Sequence, residues 1–258
     1  MMWPSEKARR MWATVATFAA FLGGFLAYLN VEPVAVLFQG QHLQNLFRDV
    51  FPPRLAVLWE RSGLWWSVVE TLAMAFAGTT LGLAFALPAG LAGAANTTPH
   101  GGLRAAVRFL LSLERALSSF FILMVLLIAF GLGPFAATIT LALGTLGGFG
   151  KLFAESLERV EAAPAEALAA LGASRSQQIC FAVLPQAAPA LITGSLYAFD
   201  INLRAAIALG IFGAGGLGAE LLLAYNTLRY HDVLALALVS LVLVTAVERV
   251  SDFLRQRI

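Results

Sequence analysis

The chain has 258 residues, 59% of them hydrophobic and only 12% charged, with a formal net charge of +2 and a mean hydropathy of +0.80. A soluble domain carries about 25% charged residues, so a chain this apolar is not built for water alone. Several apolar runs reach the roughly 17 to 25 residues that cross about 30 Å of hydrocarbon, and runs of that length satisfy their backbone in lipid as helices rather than as porin-like strands.

The periodicity and length of these runs predict six spans, at about 12–29, 68–93, 116–132, 134–150, 186–208 and 232–250. Lys7, Arg9 and Arg10 precede the first, which is too long and lacks the Ala-x-Ala site of a cleaved secretory leader. The stretch 30–67 follows, with Pro33, Pro52, Pro53, three Arg and a cluster of Trp59, Trp65 and Trp66, and reads as a loop with an interfacial helix. Glu70, at the start of the second span, either snorkels to the interface or pairs with an Arg of that loop. Gly131-Leu132-Gly133-Pro134 closes the third and fourth spans into a tight helical hairpin. Lys and Arg number twelve on one side of this arrangement and five on the other, which predicts both termini in the cytoplasm and the segment 155–184 inside the cell. The basic residues fall at helix ends rather than on one surface, which argues against nucleic-acid binding.

The segment after the fourth span is polar for this chain. Glu155, Glu158 and Glu161 share a helix face, Pro164 suits the first turn of a new helix, and Gly172 suits a left-handed stop. Ser174 and Gln177 then match a capping box, so a second short helix is expected at once, with Pro185 marking the return to the membrane. A helix of two turns is marginal alone in water, below the about 12 to 15 residues that repay nucleation. It is either a knob for a cytoplasmic partner or a loop that packs on its own bundle.

The fifth span carries Asp200, Asn202 and Arg204. Two readings stand: Asp200 and Arg204 neutralise each other as an i,i+4 pair near the outer end, or Arg204 and Asn202 line a path and meet an anion in passing. Gly213, Gly215, Gly216 and Gly218 either break the helix into a re-entrant element at an outer gate or allow close helix packing. Other chemistry is missing from the sequence. "GTLGGFGKL" (144–152) lacks the first Gly and the Ser/Thr of a phosphate loop, so no nucleotide is expected to bind this chain. His42, His100 and His231 are scattered and read as solvated rather than as metal ligands, and Cys180 reads as a small buried apolar residue. With no Gly-x-Ser-x-Gly or His-Glu-x-x-His, an enzyme is not expected.

Glu166-Ala167-Leu168, Gly172 and Leu184-Pro185 resemble the coupling motif of ABC importer permeases, Glu-Ala-Ala, three residues, Gly, nine residues, Ile, one residue, Leu-Pro; Leu168 and Ala182 are apolar departures at intact spacing. The stretches 131–158 and 197–218 resemble the permeases of phosphonate and phosphite importers, although the glycine run 213–218 is shared with methionine and glycine-betaine permeases. The resemblance implies an all-α bundle of the type I ABC importer permease fold, with 1–67 as first span and outer loop and 68–258 as core. It implies that Glu166, Ala167, Leu168, Gly172, Ala173, Ser174, Leu184 and Pro185 engage an ATPase. It also implies the expected assembly in a bacterial inner membrane: a second copy of the chain, two ATPase subunits holding ATP and Mg, and a periplasmic or lipid-anchored binding protein. A stand-alone secondary transporter is the rival reading, against which stands the lack of an internal repeat.

Overall fold

The computed structural model describes residues 6–28, 40–61 and 63–257, and they are helical with no strand among them. Residues 30–39, including Pro33 of the expected loop, lie outside the described residues, as do the side chains of Lys7 and His42. The chain divides into two units, Met1–Pro52 and Pro53–Ile258. The first holds α1 (Glu6–Tyr28) and α2 (Gly40–Val50). Phe18, Phe21 and Phe25 of α1 are exposed, as befits a helix whose apolar surface faces lipid.

The second unit carries α3 (Val57–Glu60), α4 (Leu64–Gly93), α5 (Gly101–Ala116), α6 (Ser119–Phe130), α7 (Pro134–Glu158), α8 (Ala163–Ala170), α9 (Arg175–Gln178), α10 (Leu184–Leu209), α11 (Gly216–Asn226) and α12 (Tyr230–Arg255). Among the described residues, five helical stretches are long and apolar enough to span: α1, α4, α7, the continuous run 175–214 and α12. The expected third span, 116–132, is not one straight helix. α6 has only 12 residues, and it makes a sixth span only together with α5, from which it is bent by 85° at Leu117-Ser118. Hydropathy registers the apolar run but not the bend. The tight turn at 131–133 is present, with φ of 86° at Gly131 and 146° at Gly133, values that a side chain disfavours.

The core is set by α7, which packs on α4, α5, α6 and α10. Against α4 it runs parallel and close. Gly78, Gly82, Ala86 and Gly90 recur every four residues on one buried face of α4. A methyl added at Gly78, Gly82 or Gly90 would lie 2.7, 2.4 or 2.9 Å from the Cβ of Leu141, Thr145 or Phe153 of α7. Lipid tails are as apolar as leucine, so helices in a membrane are held by such close packing rather than by a hydrophobic drive. The next face of α7 receives α5: Leu111 and Glu114 lie over Gly150 and Gly147. Gly147 and Gly150 are thus helix-packing sites within α7.

The loops segregate to two ends. Residues 94–100 and 158–183 form a lower end, joined by hydrogen bonds between Asn96 and Leu157 and between Arg175 and Asn96. The upper end holds the 131–133 turn, which meets Gly213 through the Gly133 N–H, and the segment before α4, whose Arg54 N–H reaches the His231 carbonyl.

Candidate functional site

At the lower end, α8 starts with Pro164 in its first turn and has no buried residue. It stops where the local signals say. Gly172 is left-handed with φ of 81°, and the Ala173 N–H returns to the Leu168 carbonyl at 3.0 Å. Ser174 closes the capping box: its N–H donates to Gln177 Oε1 at 2.8 Å and its Oγ accepts from the Gln177 N–H at 3.5 Å. Glu166, Ala167, Gly172, Ser174 and Pro185 are exposed, while Leu168, Ala173 and Leu184 are half-buried. Leu171 is 84% and Phe181 73% exposed, so the segment presents an apolar tip.

Two expectations here need correction. The second short helix is not separate, since α9 passes through a π-helical turn, Ile179–Val183, directly into α10. The cause is local to Pro185. Proline has no N–H to give and its ring clashes with the carbonyl four residues back. The wider turn before it, in which the Leu184 N–H reaches the Ile179 carbonyl five residues back, lets the helix pass without a break. Cys180 is exposed rather than buried, because it lies with Phe181 on the outward side of that turn, whose other side buries Ala182 and Val183 in the bundle.

The segment is clasped to the lower ends of three helices. Glu158 Oε1 accepts the Ala95 N–H and Arg108 Nη2, each at 2.6 Å, and Arg108 Nε donates to the Gly93 carbonyl at 2.8 Å. Asn96 Nδ2 reaches the last turn of α7 at the Leu157 carbonyl, 2.5 Å, and Arg175 Nη2 reaches the Asn96 carbonyl at 3.1 Å. The terminal carbonyls of α4 and α7 would otherwise lack partners. Here they accept from Arg108 and Asn96, and the Asn96 carbonyl in turn holds Arg175 of α9.

Half-way up, polar groups meet. Asn202 Nδ2 donates to Thr79 Oγ1 at 2.8 Å and to Thr145 Oγ1 at 2.7 Å, near the midpoints of α4 and α7. Each threonine spends its own hydrogen on the carbonyl four residues back, Ala75 and Leu141, so the amide nitrogen is the donor to both. Asp200 and Arg204 do not pair with each other. Asp200 is held by Ser251 Oγ at 2.7 Å and Arg255 Nη2 at 2.5 Å, and Arg204 pairs with Glu248. The i,i+4 geometry was available, but α12 lies along α10 and supplies partners that reach each charge across the helix pair. Because the partners of Asp200 come from the last two turns of α12, it does not sit at the upper end of its helix. The intramembrane acids and bases of the last span, Glu248 and Arg255, were the signal that could have revealed this arrangement.

At the upper end the glycines break the chain. A π-helical turn, Gly210–Ala214, ends at Gly213, Gly215 and Gly216, all with positive φ, and α11 folds back so tightly that a methyl at Gly218 would lie 2.1 Å from the Ile207 carbonyl oxygen. Glu70 does not snorkel, and it pairs with no arginine among the described residues. Its carboxylate accepts the Gly216 N–H at 2.9 Å, and Thr71 Oγ1 accepts the Leu217 N–H at 2.9 Å. The pull is the unsatisfied, positively polarised N-terminus of α11, one turn of α4 away. The arginine of the preceding loop, Arg61, pairs with Glu220 of α11 instead.

Residues 82–258 match the family described as binding-protein-dependent transport system inner membrane component. The chain belongs to that family. Among its relatives, the phosphate-import permease PhnE of Mycolicibacterium smegmatis is 35% identical over 89% of this chain and 43% of its own length. The phosphite transport system permease PtxC of Stutzerimonas stutzeri is 36% identical over 73% of this chain and 69% of its own. The chain therefore spans less than half of the first relative and about two thirds of the second. Among solved structures, the MetNI methionine ABC transporter in an inward-facing conformation matches with a TM-score of 0.66 at 22% identity, covering 76% of this chain and 98% of that one. The fold is that of a type I ABC importer permease.

Proposed function

We propose that this family member is the membrane-spanning subunit of an ATP-driven importer and that its cargo is a tetrahedral phosphorus oxyanion, a phosphonate or phosphite. The observation that carries the reading is the segment 163–185: a two-turn helix with no buried residue, an apolar tip at Leu171 and Phe181, and a clasp that ties it to the ends of α4 and α7. A helix too short to persist in water, yet stopped by a left-handed Gly172, followed at once by the Ser174 capping box and clasped through Arg175, is preorganised for a partner. With the ABC coupling motif in the same residues, that partner is an ATPase subunit, which brings the ATP and Mg that this chain has no phosphate loop to hold.

The lower end then faces the cytoplasm, as the excess of Lys and Arg there favours. A second copy completes the pathway, two ATPases sit on the two coupling segments, and a periplasmic or lipid-anchored binding protein delivers cargo at the upper end, where the break at Gly213–Gly218 forms part of the gate. Closure of the ATPases draws the coupling segments together, and the clasp passes that movement to α4 and α7. The cargo assignment is supported by relatives named for phosphate and phosphite transport.

The test is reconstitution with the ATPase subunits and the binding protein. Phosphite or methylphosphonate is expected to stimulate ATP hydrolysis and to be taken up, and Gly172→Asp to abolish both association and uptake. Intact association in Gly172→Asp would overturn the coupling assignment. Stimulation by methionine or glycine betaine alone would overturn the cargo.

A further inference from the structure

The ion pair of Arg204 and Glu248 differs from the other charges at its level. Asp200 is closed in by Ser251 and Arg255, with 5% of its side chain exposed, whereas Arg204 and Glu248 are 54% and 36% exposed. Arg204 stands two residues after Asn202, whose amide binds the midpoints of α4 and α7, and Glu248 of α12 reaches Arg204 from the side. Charged groups so deep in a membrane bundle face water or protein rather than hydrocarbon. Glu248 meets one nitrogen of the Arg204 guanidinium, and no other hydrogen bond or ion pair of that group is found among the described residues. A guanidinium carries five N–H donors in a planar fork, so most of them remain for an incoming anion.

The geometry points to Glu248 as a built-in competitor for Arg204: it occupies the guanidinium while the path is empty and yields it to a phosphorus oxyanion in transit. This deepens, and rests on, the transport reading above. The chemistry is an exchange of like for like. A carboxylate and a phosphonate or phosphite both offer paired oxygens to the same fork, and no covalent bond changes. A lone arginine at that depth would hold an anion tightly and let it go slowly. A tethered carboxylate competes at an effective concentration in the millimolar range, which weakens retention without removing recognition. The released carboxylate is not stranded, because more than a third of it is open. Glu248 thereby becomes a specificity residue: an anion too weak to displace it does not hold Arg204.

The alternative is a staple that joins α10 to α12, and a staple loses the same contact whichever end is cut. The experiment uses the complete assembly in nanodiscs and proteoliposomes, with radiolabelled phosphite and methylphosphonate. Uptake by the wild type tests the transport reading by itself. Retention of the two anions by the assembly without binding protein tests Glu248. Glu248→Gln is expected to raise retention at least tenfold and to slow release, whereas Arg204→Gln abolishes retention. Equal changes in the two variants, in retention and in uptake, overturn the proposal while leaving the transport reading intact. If either single variant does not assemble, the exchange Arg204→Glu with Glu248→Arg keeps the pair but moves the guanidinium to α12. That variant is expected to assemble and to lose at least tenfold in uptake, and wild-type uptake by it would show a staple only.

Discussion

Replacing Gly82 by alanine tests the packing of α4 on α7 where it is tightest. The added methyl would lie 2.4 Å from Thr145 Cβ and 2.6 Å from the Ala142 carbonyl oxygen. Carbon atoms rest at about 3.5 to 4.0 Å, so the contact falls short by roughly 1 Å or more. Neither obstacle is the end of a flexible side chain, so α7 itself must move. A shift of about 1 Å takes the 2.7 Å bond from Asn202 to Thr145 past hydrogen-bonding range. Overpacking costs about 1 to 3 kcal/mol and the lost bond about 1 more. The change from glycine to alanine inside a helix returns about 1 kcal/mol. The net is a loss of about 1 to 3 kcal/mol, and at about 2 to 4 °C per kcal/mol for a chain of this size the midpoint falls by about 2 to 12 °C. The assay is thermal unfolding of the purified chain in detergent, with Gly148→Ala as control. Gly148 lies in α7 and has nothing within 4 Å of an added methyl, so that variant keeps the propensity gain without the clash. If Gly82→Ala unfolded at the same temperature as Gly148→Ala, the claim that close approach at this stripe holds the bundle would be wrong.

Asn202→Asp is expected to destabilise more than Asn202→Leu, by about 3 to 5 kcal/mol against about 1 to 2, because the carboxylate meets two hydroxyl oxygens whose hydrogens are already given to Ala75 and Leu141; equal unfolding midpoints would reverse the assigned direction of those bonds. Thr71→Val removes the acceptor for the Leu217 N–H and should cost about 1 kcal/mol or more, while Thr71→Ser should be near neutral; hydrogen exchange at the start of α11 reads this directly, and identical protection in the two variants counts against the cap. Arg108→Ala opens the clasp at Glu158 and the Gly93 carbonyl and is expected to leave ATP hydrolysis in the assembly while lowering uptake severalfold; parallel loss of both activities would make Arg108 a folding residue rather than a link.

The lower segment was legible in advance because its signals are local. Pro164, the left-handed Gly172 and the Ser174–Gln177 box each act within four residues, and all three are found as read. The polar centre was not legible in the same way. The i,i+4 rule paired Asp200 with Arg204, but it describes an isolated helix, and α12 brings Ser251, Arg255 and Glu248 from more than forty residues away. The bend before α6 escaped a reading based on apolar length, since hydropathy counts residues and not angles. The stripe Gly78, Gly82, Ala86, Gly90 stands in the sequence as small residues four apart, a sign of close helix approach in membranes that apolar length does not register.

The π-helical turn at 179–183 has a mechanical consequence. By absorbing Pro185 it leaves residues 175–214 as one helical run, 40 residues long. At about 1.5 Å per residue, Arg204 stands roughly 44 Å along the axis from Arg175. A tilt of only about 5° about the lower end therefore sweeps Arg204 sideways by about 4 Å, enough to part it from any group on a neighbouring helix. The proline repair turns a polar elbow at one rim of the molecule into the short arm of a lever whose long arm ends among the charges at its centre.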